Sequence, residues 1–197
     1  MARTGVAGPT AAAPGRKQRA DAARNRARLV AAAKQVVSEQ GATASLERVA
    51  REAGVSIATL YRHFPERDVL IEAVYREEVD SLVGAASDLA REREPIEALR
   101  LWLLLFVDFL EVKQGMSEVL GTLIRGPEPL FRESSDRLAA TVETLVRNAE
   151  EASSLRADIQ PLDLLRAIGG IANVSPDKNW KQSAVGLIEL LLRGLQE

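Results

Sequence analysis

Apolar residues recur at helical spacing along nearly all of the chain. Between Asp21 and Gln40, Leu29, Ala33, Val36 and Val37 fall at i, i+4, i+7 and i+8, which lines one face of a helix, and Gly41 suits its C-terminal stop. Leu46, Val49, Ala50 and Ala53 repeat the pattern in a short second helix, with Ser45 as its N-cap. Gly54 breaks that helix, and Ser56 caps a third short one, Ile57 to His63. Phe64-Pro65 ends it, because a proline disfavours helical geometry in the residue before it. A fourth helix is expected from Arg67 to about Arg91, with Val69, Leu70, Ala73 and Val74 as its stripe.

The second half continues in the same period. Pro95 suits a helix first turn, and Ile96 to Val112 is apolar on most sides, the signature of a buried helix. Turns are expected at Gly115 and at Gly126-Pro127-Glu128-Pro129. Further helices are expected at about Leu130–Ser153, Pro161–Val174 and Lys181–Leu195. No alternating run or hairpin signal points to a strand. The expected fold is all-α. Its parts are a disordered basic arm over residues 1–20, a helix-turn-helix domain over 21–75, and a helical effector-binding and dimerisation domain over 76–197.

Composition narrows the function classes. The 197 residues contain no Cys and one His, His63. A Cys nucleophile, a thiolate zinc site and a multi-His site within one chain are therefore excluded, and no metal or cofactor is expected. No run of about 18 apolar residues suggests a membrane span. Met1–Pro14 carries no signal-like apolar stretch, so the expected location is the cytoplasm. Residues 1–75 hold 12 Lys/Arg against 7 Asp/Glu, a net +5, and the remainder holds 14 against 21, a net −7. One end of the chain is thus suited to a polyanion. Arg16, Lys17, Arg19, Arg24, Arg26 and Arg28 are either a solvated charge run or a basic arm on DNA.

The three helices of residues 21–64, the last two short and joined across Gly54, have the shape of a helix-turn-helix. Leu46, Val49, Ala50, Val55 and Leu60 would face inward and leave the third helix free to enter a major groove. The stretch from Val49 to Leu70 resembles the TetR (tetracycline-repressor-like) family. It carries Ala-Gly-Val-Ser at 53–56, Thr-Leu-Tyr-x-His-Phe at 59–64 and a basic residue, Arg67, three after the Phe. The resemblance covers roughly residues 22–75 and implies a DNA-binding regulator of transcription, not an enzyme. It implies that Thr59, Tyr61, His63 and Arg67 touch operator phosphates, that Ser56, Ile57 and Ala58 face bases, and that Ser45 starts a phosphate-contacting helix. Ile57 and Ala58 lack hydrogen-bonding side chains, so readout would lean on thymine methyl contacts, Arg48, Arg62 or DNA shape. Glu66 stands where a Ser or Asn often caps the next helix, so a weaker cap is expected there.

For residues 76–197 the resemblance implies a homodimer on a palindromic operator and a small-molecule effector. The dimer stripe would include Leu165, Ile168, Ile171, Ile188, Leu191 and Leu192, unless these cover the monomer's own core. Trp102, Phe106, Phe109, Met116 and Leu123 would line a pocket for a small hydrophobic effector, unless they are ordinary core. A DNA-binding regulator without a ligand and a small helical enzyme remain the alternative readings. The latter lacks a polar catalytic cluster in the sequence, since Glu77-Glu78 and Glu150-Glu151 are neighbours that point apart on a helix.

Overall fold

The computed structural model describes residues 16–121, 123, 128–152, 160–174 and 179–194. Helix α1 (Arg16–Gln40) leads through a single 3₁₀ turn, Gly41–Thr43, to α2 (Leu46–Glu52) and α3 (Ile57–His63). The rest comprises α4 (Arg67–Glu92), α5 (Pro95–Gly115), α6 (Ser117–Gly121), α7 (Glu128–Ala152), α8 (Pro161–Val174) and α9 (Trp180–Gly194). No strand occurs among the described residues, and none of their helices is long and apolar enough to cross a membrane.

Local signals set the small head. Ser45 and Ser56 both act as N-caps, each hydroxyl accepting from the backbone N–H three residues on, at 3.3 Å and 3.1 Å. Glu66 makes no side-chain cap. Gly41 and Gly54 adopt φ of 56° and 62°, the left-handed region that glycine enters without a Cβ penalty. Leu29, Ala33, Val36 and Val37 of α1 close over Val49, Ala50, Leu60 and Phe64.

The larger body is built around α5. Ala98, Leu99, Trp102, Leu103, Phe106, Val107, Phe109 and Leu110 are all buried on it. Helices α4, α7, α8 and α9 surround it, and α1 reaches it from the head. Polar clasps bind the outer layer. Asp80 pairs with Arg137 across α4 and α7 at 2.6 Å, and Lys181 of α9 holds Asp108 and Glu111 of α5 at 2.8 Å and 2.9 Å. Helix α4 belongs to both regions: its start packs on the head and the remainder on α5 and α7.

One expectation is corrected and two others are refined. Helix α1 begins at Arg16, so residues 16–20 are helical and not part of an irregular arm; residues 1–15 lie outside those described. The turn expected at Gly115 is present, where α5 ends and Met116 leaves the helix, and it leads straight into α6, which packs on the 3₁₀ turn of the head. The stripe expected at a dimer face divides between two sides of α8 and α9. Leu165, Ile168, Ile188 and Leu192 are buried within the single chain, whereas Ile171 and Leu191 stay half-buried. Helices α8 and α9 each carry two apolar stripes, and the stronger one covers the chain's own core.

Candidate nucleic-acid interface and effector cavity

Helix α3 is anchored by Leu60 and by Phe64 just beyond it, both fully buried. Its period then forces Ser56, Ile57, Ala58, Tyr61 and Arg62 outward. Ile57 is 36% exposed and Tyr61 47%; two large side chains held in water on one short helix indicate a contact surface. Thr59 and His63 lie at the edges of that face and are half-buried. The Thr59 and Ser56 hydroxyls are 3.0 Å apart. His63 Nε2 is buried without a hydrogen-bond partner among the described residues.

The basic residues of the head divide by their partners. Arg28 donates to the carbonyls of Ala53 and, at 3.1 Å, of Gly54. It thereby caps the C-terminal end of α2, where a cation also meets the helix dipole favourably. Arg26 lies 5.0 Å over the Phe64 ring, and Arg24 pairs with Asp21. Arg48 is drawn to Glu39 and, at 3.8 Å, to Glu52, while Arg67 donates to the Ala44 carbonyl at 2.7 Å. Arg62 is exposed with no ion pair among the described residues.

The acidic neighbour Glu47 is folded back on its own helix. Its carboxylate accepts from the Ser45 hydroxyl at 2.8 Å. Its pKa is lowered first by its own backbone N–H and then by Ser45.

A cavity of about 220 Å³ opens between α4, α5, α7 and α8. Phe106, Phe109 and Phe131 supply aromatic walls; Tyr75 packs against Phe109 and Phe131 at ring separations of 5.9 Å and 5.6 Å. Burial pushes the Tyr75 hydroxyl pKa up, and its hydrogen bond to Ser134 works in the other direction. Two of the five expected pocket residues, Phe106 and Phe109, line this space. Trp102 does not: it is fully buried and donates from Nε1 to the Leu82 carbonyl at 2.8 Å, which makes it a strut between α4 and α5. Met116 instead borders a groove against α1, and Leu123 is buried without lining the cavity.

Residues 29–74 match the model of the bacterial regulatory proteins of the tetR family, and residues 94–197 match that of the SbtR-like transcriptional regulator C-terminal domain. The chain belongs to the TetR family. This TetR-family chain is similar in structure to the TetR transcriptional regulator SCO0520 from Streptomyces coelicolor, with 39% identity, a TM-score of 0.76 and coverage of 87% of this chain and 98% of that one. A TetR transcription regulatory protein from Mycobacterium vanbaalenii gives 28% identity and a TM-score of 0.74 over 91% of this chain and 99% of that one. Among curated proteins, the nucleoid occlusion factor SlmA of Marinobacter nauticus is 28% identical over 127 residues, 63% of this chain. The chain spans 65% of that relative's length. As a TetR-family member it is a DNA-binding regulator of transcription, and α2–α3 is its helix-turn-helix.

Sequence reasoning missed Arg26 and Arg28 as structural residues and missed Lys113 in the cavity. The signal for Lys113 was present: it follows Phe106 and Phe109 by seven and four positions, on the same stripe of an otherwise apolar helix.

Proposed function

We propose that this regulator is a ligand-responsive repressor that grips a near-palindromic operator as a homodimer in the cytoplasm. The observation that carries the reading is the outer side of α3, where Ser56, Ile57, Ala58, Tyr61 and Arg62 project from a helix anchored by buried Leu60 and Phe64. That side enters the major groove. Ile57 and Ala58 meet thymine methyl groups, and Ser45, Thr59, Tyr61, His63 and Arg62 engage phosphates. Arg48 and Arg67, already held by Glu39 and by the Ala44 carbonyl, act chiefly by fixing where α2 and α3 stand.

The dimer forms through the outer stripes of α8 and α9. Val174 and Leu190 are 85% and 62% exposed, with half-buried Ile171 and Leu187 beside them. A Cβ built at Gly170 or Gly186 meets nothing within 4 Å, so a partner helix can approach closely. Two-fold pairing sets the half-site spacing.

The DNA-binding unit ends near Tyr75, inside α4. Tyr75 borders the cavity eight residues beyond Arg67, about 12 Å along the same helix. A ligand that favours one position of Tyr75 shifts the balance between head orientations. Footprinting on DNA around the regulator's own gene, at several salt concentrations, tests the reading. Protection of a near-palindrome that fades steeply with salt is expected; sequence-blind binding sinks it.

A further inference from the structure

We propose that the cavity between α4, α5, α7 and α8 takes an amphipathic small molecule bearing a carboxylate, and that Lys113 is the group that pairs with it. The site's regulatory consequence rests on the effector reading above; its chemistry rests on the cavity itself.

Lys113 projects from α5 into the cavity wall, its ammonium 4.5 Å from the centre of the Phe131 ring. The ring face compensates part of the lost hydration, and a partly desolvated ammonium still gains from an anion beside it. No carboxylate among the described residues supplies one. The contrast with its fellow lysines is direct: Lys34 pairs with Glu78 at 2.7 Å, and Lys181 pairs with two carboxylates. Burial holds the Lys113 pKa below the ordinary lysine value, in keeping with a cation that lacks a counter-charge.

The lining as a whole has the same bias. It includes a second cation, Arg166, at the rim, and no Asp or Glu. Arg166 is largely exposed and keeps Asp163 at 2.9 Å, so Lys113 is the lining cation that no carboxylate of the described residues pairs with. Facing Lys113 are aromatic walls, with the Tyr75 and Ser134 hydroxyls between them. A multiply charged, strongly hydrated anion such as phosphate gains nothing from three phenyl rings. A neutral apolar molecule leaves the ammonium unpaired. A monocarboxylate with an alkyl or aryl body meets both demands. The volume of about 220 Å³ equals roughly seven waters of bulk liquid, which suits a short-chain or single-ring acid.

The test uses the full chain and matched probes: hexanoate, octanoate and phenylacetate, each against its own primary amide. Binding is read by calorimetry and by tryptophan emission, since Phe106 of the cavity stacks on Trp102 at 6.1 Å. At least one acid should bind tenfold or more tightly than its amide. Lys113→Met should weaken that acid at least tenfold, leave the amide unchanged and leave the ligand-free melting temperature equal or higher; Lys113→Arg should restore acid binding in part. Amides binding as tightly as acids in the unsubstituted protein would overturn the proposal, as would acid binding that ignores Lys113→Met, or no saturation by any acid at millimolar concentration. The acid–amide comparison needs no variant, so it stands even if Lys113→Met misfolds. Operator release measured in parallel separates the two readings: amides that bind and release DNA defeat only the carboxylate, and acids that bind at Lys113 without releasing DNA defeat only the effector role.

Discussion

The head and the helical body reach a defined shape by opposite means. In the head, α2 and α3 are seven residues each, too short to persist alone. They are fixed by point contacts: two serine caps, Arg28 on the Ala53 and Gly54 carbonyls, and Arg67 on Ala44. In the body, eight buried apolar side chains of α5 hold long helices together, and Ser134 is the one buried polar side chain among the described residues. Point contacts free the outer face of α3 for recognition without exposing the core. Broad apolar packing between long helices instead leaves room for a cavity. The difference explains why the surface expected to read DNA projects outward while the site expected to sense a ligand is a recess between helices.

The sharpest way to break this contrast is Leu60→Ala. Leu60 is fully buried in a small core, so the loss should be about 2–5 kcal/mol. Calorimetric melting should show the head unfolding ahead of the body, with DNA binding gone; one unshifted transition would contradict the division. Next is Leu190→Asp, which places a charge on the proposed dimer face. Sedimentation should report at least tenfold weaker self-association, with the monomer's own helicity intact because Leu190 is exposed.

Gly54→Ala probes the point contacts. The left-handed φ and a new Cβ 2.7 Å from Arg28 Nη2 should together cost about 1–3 kcal/mol. Because relief requires moving Arg28 off its carbonyls, combining Gly54→Ala with Arg28→Ala should be less than additive in chemical denaturation. Arg62→Ala should leave stability untouched and lower the slope of log affinity against log salt by about one; an unchanged slope would remove Arg62 from the phosphate contacts.

The smallest effect is expected at the exposed α4–α7 clasp. Glu133 has its pKa lowered, first by the Arg76 hydrogen bond and then by that residue's charge. A lowered carboxylate pKa contributes stability above its ordinary value near 4.5, and the contribution disappears as pH falls through the lowered one. Arg76→Gln should flatten the acid limb of the melting temperature below pH 4.5 slightly, and only at low salt.

Much of the head was legible because its determinants are local. The serine caps, the glycine break, the Phe64-Pro65 stop and the inward set around Leu60 are neighbours in sequence. The role of Arg28 was not legible, since its partners lie 25 and 26 residues away and its charge alone resembled an arm for DNA. In the body, periodicity reveals the helices but not which of two stripes faces inward, which leaves Ile168 and Ile188 open between a dimer face and the chain's own core. Trp102 likewise depended on a distant carbonyl, Leu82, to become core. Phe106 and Phe109 were legible as cavity residues only in the sense that aromatic side chains on a buried helix often border packing gaps.

The division of contacts along α3 carries a consequence for how such a regulator changes its target. Helix α3 packs chiefly on α2, and its outward positions lie on the side away from buried Leu60 and Phe64. Positions 57, 58, 61 and 62 can therefore be rewritten at less cost to the fold than Leu60 or Phe64. On the proposed role of α3, operator preference in a lineage can drift with little penalty to folding, and a randomised α3 library would lose few members to misfolding.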